Sequence, residues 1–280
     1  MKKFSIAMLS MVLAGSLLLS GCGGGNTDTQ QNEDSNTDAA ATDSTDTADG
    51  GVLRMGTNAT FPPYEFTDEN GEVAGIDAEI AAAVAEKLGM ELDITDMAFE
   101  SLIPALQAGT IDIVLAGMTV DPERAEQVNF TDSYATGVQV VIIPESSDIA
   151  PVEQEDGSMA VDLTGKTIGV QTGTTGDLYC TDEYGQENVK QFDNGPLAVA
   201  ALVNGQIDCV VIDQEPAKNY VAANEGLKIL DTAYANENYA AAISKDNTEL
   251  LEQVNAAMQE LKDDGTLQSI IDKYIPADGE

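Results

Sequence analysis

From residue 52 onward, two kinds of apolar run alternate along the chain. Short continuous runs read as strands buried on both faces, whereas apolar positions spaced three and four apart read as amphipathic helices. On this basis residues 53–57, 92–97, 138–143, 166–170 and 239–244 are expected to be strands. Residues 77–88, 121–128, 174–184, 215–223 and 247–262 are expected to be helices, with Gly89 closing the first and Gly265 near the end of the last. Residues 144–159 interrupt the pattern as a polar stretch. Such alternation predicts parallel sheets with helices on both faces.

One pattern occurs twice. SLIPALQAGTIDIVLAG at 101–117 and LAVAALVNGQIDCVVID at 197–213 each run from an apolar helical segment through a glycine and one polar residue to Ile-Asp and a buried strand. Gly109 and Gly205 fit helix C-terminal caps. LRMGT at 53–57 is echoed by KTIGV at 166–170, each opening a strand–loop–helix unit. Two copies 96 residues apart point to two related α/β lobes. Length agrees, because the part after residue 51, about 225 residues, exceeds a common domain size.

The N-terminus departs from this pattern. Lys2 and Lys3 precede an apolar stretch at 4–19, too short to span a membrane and proportioned as a secretory signal. It ends in Leu19, Ser20, Gly21 and Cys22, which resembles a lipoprotein processing site with Cys22 as the lipid-modified first residue. Residues 26–51 contain almost no core-forming side chain and carry seven acids up to position 50, so 22–51 reads as a solvated, anchored tether. The formal net charge is −37, and loss of residues 1–21 leaves 10 bases against 49 acids, or −39. A nucleic-acid partner is excluded, since phosphate binding needs a basic stripe. The chain has no histidine, which excludes imidazole-based catalytic triads and the usual zinc sites; neither metal nor cofactor is expected. Cys180 and Cys209 remain in the globular part, and Cys209 reads as a small buried residue within an apolar run. An extracellular location permits a disulfide between them without requiring it.

Against this acidity, the two arginines stand out. Arg54 heads a strand and is the weaker candidate. Arg124 closes AGMTVDPER, and a guanidinium there could hold a small carboxylate in a bidentate pair. The plain alternative is a surface ion pair with Glu123 or Glu126. Ligands in open α/β sheets bind beyond the carboxyl ends of strands. The loops there are 57–61, the segment at Phe99, 116–119, and QTGTTG at 171–176. The last offers hydroxyls and N–H groups at a helix N-terminus, suited to an anion, but lacks the Gly-Lys-Ser/Thr ending of a nucleotide loop.

GTNATFPPYEF at 56–66, ENGEVAGID at 69–77, FESLIPALQAGTIDIVLAGMTVDPER at 99–124, GVQTGTTG at 169–176 and IDCVVID at 207–213 together resemble the solute-binding proteins of ABC importers for polar amino acids. The resemblance covers nearly all of 52–275 and implies an α/β, two-lobed periplasmic-binding-protein type II fold. Its lobes would be discontinuous, 52–138 with 238–280 and 139–237, joined by a two-strand hinge near 136–140 and 233–239. It further implies an extracytoplasmic, lipid-anchored monomer that captures an amino acid by closure and passes it to a membrane permease.

Carried over residue by residue, the resemblance places the carboxylate-binding arginine at Arg124, assisted by Thr119 and by Thr174 or Thr175. The ammonium falls to Asp213 with the backbone at Gly117, and the flanking aromatics to Phe61 and Phe99. Asn58, Ala116, Met118 and Gln171 complete the expected ligand-binding set. Binders of basic amino acids in this family often carry an aspartate where Asn58 stands and a serine pair where Ala116 and Gly117 stand. An uncharged polar ligand such as glutamine or cystine is therefore expected, a choice that Glu65, Glu100 or Gln171 could reverse. The alternative is an enzyme of the same fold acting on a cyclic carboxylate, with Glu65, Glu100 or Asp213 as acid or base.

Overall fold

In the computed structural model, residues 50–154, 158–230 and 232–276 are described; the expected signal at 1–21, Cys22 and the tether up to residue 49 lie outside them. Two sheets organise the chain. The first has the order Glu91–Asp96, Val52–Thr57, Ile113–Val114, Ala242–Ser244, Val128–Phe130. The second has the order Val189–Phe192, Ile168–Gln171, Cys209–Asp213, Ala135–Pro144, Leu227–Ile229, with Ala235–Tyr239 also pairing with Ala135–Pro144. Each sheet is the centre of one lobe.

Both sheets are mixed, which corrects the expectation of parallel sheets. The strands connected through helices are parallel, as in Val52–Thr57 with Glu91–Asp96 and Ile113–Val114, and Ile168–Gln171 with Val189–Phe192 and Cys209–Asp213. A crossover helix returns the chain to the end where the previous strand began, whereas a direct connection reverses it. Ala135–Pro144 and Ala235–Tyr239 are such direct passages between the lobes, and they pair antiparallel with one another. Ala242–Ser244 enters the first sheet from that passage and is antiparallel to both its neighbours. The single strand expected over 239–244 is thus two strands in two sheets. Its apolar run is unbroken across Ala240 and Ala241, so composition does not mark the crossing.

Alternation along the strands fills both faces of each sheet. In the first lobe Ile113 and Leu115 face a core that includes Leu53, Met55, Ile80 and Val254, while Val114, Ala116 and Met118 face another with Phe99, Leu102 and Leu106. In the second lobe Val140, Ile142, Val210 and Ile212 face one core, and Val141, Ile143, Cys209 and Val211 face the other. Helix Ile76–Leu88 ends at Gly89, helix Thr248–Asp263 packs on it, and a further helix at Thr266–Tyr274, not anticipated from the sequence, adds Leu267 and Ile270 to the first-lobe core. Cys180 and Cys209 are free thiols in one core, and burial pushes that of Cys180 up to about 12. The polar stretch at 144–159 contributes an unforeseen hairpin strand, Pro151–Glu153, paired with Met159–Val161. Among the described residues no helix is long and apolar enough to cross a membrane.

The repeated motif has a common physical role. Gly109 and Gly205 adopt left-handed backbone angles, φ 68° and 66°, just past helices Leu102–Gln107 and Gly195–Val203, as the cap reading requires. The aspartate that follows then ties down the neighbouring strand. Asp112 accepts from the Arg54 N–H at 3.0 Å and Asp208 from the Thr167 N–H at 2.7 Å. Their own N–H groups donate to the carbonyls of Arg54 and Thr167. Asp112 also receives the Arg54 guanidinium at 2.8 and 2.6 Å, which makes Arg54 a strand-fixing residue.

Asp208→Ala is expected to cost about 1 kcal/mol of stability and Asp112→Ala about 2, because the latter also strands a charge-assisted pair. Urea unfolding of both variants checks this; unchanged midpoints would contradict the shared role.

Candidate functional site

The carboxyl ends of the strands from both lobes converge on one tight cavity of about 30 Å3. That is room for water but not for a small-molecule ligand, so the two walls stand close together. Each wall residue is set by an element that the chain builds for local reasons.

In the first lobe, Val52–Thr57 ends at Asn58, whose side chain is fixed on three sides. Its Nδ2 donates to the Met97 carbonyl at 2.8 Å, and its Oδ1 accepts from Thr60 Oγ1 and from Gln171 Nε2 of the second lobe, both at 2.9 Å. Thr60–Phe61 then pairs antiparallel with Glu65–Thr67, so Phe61 and Glu65 are cross-strand partners, and both line the cavity. Phe61 packs against apolar clusters of both lobes.

Arg124 sits on a short helix, Pro122–Gln127, with Pro122 at its start and Asp121 as N-cap accepting from the N–H groups of Glu123 and Arg124. The guanidinium is buried, with the residue 5% exposed. It donates to the Thr119 carbonyl at 3.0 Å and, across the lobes, to the Gly173 carbonyl at 2.9 Å. It also lies 5.3 Å from the centre of the Phe99 ring. No acidic side chain of the described residues is ion-paired with it, so the surface pair with Glu123 or Glu126 does not form. Burial lowers its proton affinity, opposed by the fields of Asp121 and Glu237. Glu237 accepts from the Thr119 hydroxyl and from Gln139 Nε2, each at 3.0 Å.

The second lobe supplies the start of helix Thr175–Tyr184. Thr174 caps it, accepting from the Asp177 N–H and donating to the Gln171 carbonyl at 2.8 Å. Gly173 has φ +75°, and a Cβ there would stand 3.1 Å from that of Glu100, so the loop approaches the first lobe closely because this residue is glycine. Asp213 closes strand Cys209–Asp213 and caps helix Gln214–Ala223. Its carboxyl accepts from the Tyr239 hydroxyl at 2.6 Å, the Val138 N–H at 2.9 Å and the Glu215 N–H at 3.1 Å. Burial nonetheless pushes it up to about 7. A Cβ at residue 137 would meet the Tyr239 hydroxyl at 2.4 Å and Asp213 Oδ2 at 2.7 Å, so Gly137 allows this cluster to close.

Of the residues expected at the site, Asn58, Phe61, Phe99, Ala116, Gly117, Thr119, Arg124, Gln171, Thr174, Thr175 and Asp213 all line the cavity. Met118 is placed elsewhere, fully buried in the apolar cluster of Phe99, Leu102 and Leu106. A thioether gains more by packing there than beside polar groups. Glu65, Gln139, Ile212 and Tyr239 line the cavity without having been in that set. Glu65 had been named as an acid able to bear on the ligand, and Gln139 carried a readable signal, an amide inside the apolar run 138–143; Ile212 and Tyr239 did not. Glu100 lies outside the cavity, in a groove with Ile103 and Gln127. The cavity thus offers one guanidinium, two carboxyl groups, three amides, three threonines and aromatic rings, a set able to hold a zwitterion with a polar side chain. Among the described residues no group of three or more metal-ligating side chains is gathered.

The family model described as bacterial extracellular solute-binding proteins, family 3, matches residues 53–277. The chain is 34% identical over 229 residues to the ABC transporter arginine-binding protein 1 of Escherichia coli (strain K12), covering 80% of this chain and 90% of that protein. Among solved structures it is similar to an ancestral arginine-binding protein bound to glutamine, with TM-score 0.74, 41% identity, and 81% of this chain and 98% of that one covered. An ancestral arginine-binding protein bound to arginine matches with TM-score 0.73, 41% identity, and coverage of 80% and 97%.

A carboxyl that holds its proton more tightly when folded contributes stability below its ordinary range near pH 4, and that contribution is lost as pH rises through the folded value. For Asp213 the loss is complete just above pH 7 and amounts to a few kcal/mol, at about 1.4 kcal/mol per tenfold in proton affinity. Melting of the amino-acid-free protein from pH 5 to 8 should therefore show falling stability, less steeply in Asp213→Asn. Equal slopes in both proteins would contradict the burial argument.

Proposed function

This chain belongs to the bacterial extracellular solute-binding proteins of family 3, and we propose that it captures a polar amino acid between its lobes and delivers it to the permease of an ABC importer. The observation that carries this reading is a buried guanidinium, ion-paired with no acid among the described residues, facing the same cavity as the buried carboxyl of Asp213. A desolvated cation and a desolvated acid in one small cavity complement the two charges of an α-amino acid. In this reading Arg124 takes the α-carboxylate with Thr119, Thr174 and Thr175. Asp213 and the backbone at Gly117 take the ammonium, and Phe61 and Phe99 flank the side chain. Asn58, Ala116 and Gln171 shape its far end, and Met118 supports Phe99 from behind.

Capture operates by closure. The lobes 52–138 with 238–280 and 139–237 move about the crossings near 136–140 and 233–239. The bonds Gln171–Asn58 and Arg124–Gly173, each 2.9 Å, and Tyr220–Thr60, 2.5 Å, join the lobes in the closed form. An amino acid engaging Arg124 from one lobe and Asp213 from the other favours that form by its differential affinity. The names of the similar proteins support a cargo of the size of glutamine or arginine. Residues 1–21 act as the export signal, Cys22 carries the lipid, and the tether keeps a monomeric domain near the permease.

Arg124→Ala is expected to lose about 2–5 kcal/mol of affinity for L-glutamine and L-arginine, read by isothermal titration; unchanged affinity would contradict the carboxylate assignment. Mass spectrometry of the cargo after incubation should return it unaltered, whereas a converted product would favour the dehydratase-like alternative.

A further inference from the structure

Glu65 and Asp77 form an unusual pair at the cavity wall. Both side chains are buried, with the residues 1% and 0% exposed. Glu65 lines the cavity, while Asp77, in the first turn of helix Ile76–Leu88, stands behind it. Asp77 Oδ2 accepts from the Gly117 N–H at 2.7 Å and from the Tyr134 hydroxyl at 2.8 Å. The remaining buried oxygens, Glu65 Oε2 and Asp77 Oδ1, are reached by no N–H or hydroxyl group of the described residues. The Asp77 N–H donates to the carbonyl of Tyr64 at 2.9 Å, which sets Asp77 beside Glu65, and the Asp77 charge raises the proton affinity of Glu65.

Two neighbouring buried carboxyl groups with no cation paired to either keep a proton between them. The bonds from Gly117 and Tyr134 favour the ionised form of Asp77, which leaves the proton on Glu65. The charged groups that raise its proton affinity are all acids, Asp77 from the helix, Asp213 from the second lobe and Asp96 from the edge strand. Tyr64, Tyr134 and Tyr220 surround it as neutral phenols. The cavity's own cation, Arg124, is occupied by the carbonyls of Thr119 and Gly173. Neighbouring carboxylates cannot both ionise without a compensating cation, so only a cation arriving with the ligand would make loss of the proton favourable.

Resting on the amino-acid-capture reading above, we propose that the Glu65–Asp77 pair sets the charge specificity of the cavity. It keeps its shared proton when the captured side chain is uncharged and releases it to solvent when the side chain is cationic. One site then takes both classes of amino acid, and capture of the cationic class is linked to release of a proton. Asp213 also gives up protons on meeting the ligand's ammonium, but it does so for either class, so the difference between two ligands isolates Glu65.

The test is isothermal titration of the full chain with L-arginine and L-glutamine from pH 6 to 9, in phosphate and in Tris, whose ionisation heats differ. Arginine should release about one proton more than glutamine near neutrality, and the ratio of arginine to glutamine affinity should rise by up to about tenfold per pH unit. Glu65→Gln should abolish both differences and weaken arginine binding more than glutamine binding. The wild-type proton count stands whether or not this variant folds. Equal proton release for the two ligands, an unchanged affinity ratio in Glu65→Gln, or binding of glutamine with no binding of arginine at any pH would overturn the proposal while leaving the capture reading intact. Binding of neither would overturn both.

Discussion

A guanidinium withdrawn from water has to find partners for its N–H groups, and how Arg124 meets that demand governs the arrangement around it. It takes one carbonyl from each lobe, Thr119 and Gly173, and rests against Phe99. Neither carbonyl neutralises the charge, and the desolvation cost is offset only in part, by the fields of Asp121 and Glu237. Several other features follow from holding this group in place. Asp121 and Pro122 start the helix that carries it, Gly173 lets the second-lobe loop come close, and Glu237 anchors the hydroxyl of Thr119.

The acids at the cavity obey the same physics with opposite sign. Asp213 has three hydrogen-bond donors that favour its ionised form, yet burial outweighs them and pushes it up to about 7. Glu65 has a second carboxyl as its neighbour and retains a proton. A cavity with one fixed cation and adjustable acids can therefore change its charge to suit its contents. In a chain with 49 acids and 12 bases, this adjustment by protons substitutes for additional basic side chains.

Much of this was legible in the sequence where local rules dominate. The helix–glycine–Ile-Asp–strand repeat announced two lobes, because glycine caps and strand-fixing aspartates act through neighbouring backbone. The loops at 57–61, 116–119 and 171–176 reached the cavity because strand ends place them there. What was hidden depends on long-range geometry. The crossing at Ala240 and Ala241 has no compositional mark, so strand polarity could not be read. Tyr239 and Ile212 look like core residues, and nothing local shows that Glu65, though a candidate acid, is fully buried. The placement of Met118 turned on a competition between core and cavity that a motif does not express.

The central claim is that Arg124 and Asp213 together hold the two charges of one amino acid. A crystal structure of the protein with L-arginine or L-glutamine bound measures this most directly. The α-carboxylate should lie within about 3 Å of the Arg124 guanidinium and the ammonium within the same distance of Asp213, with the lobes closed around them. An amino acid bound outside this cavity, or bound in reverse with its carboxylate away from Arg124, would contradict the account.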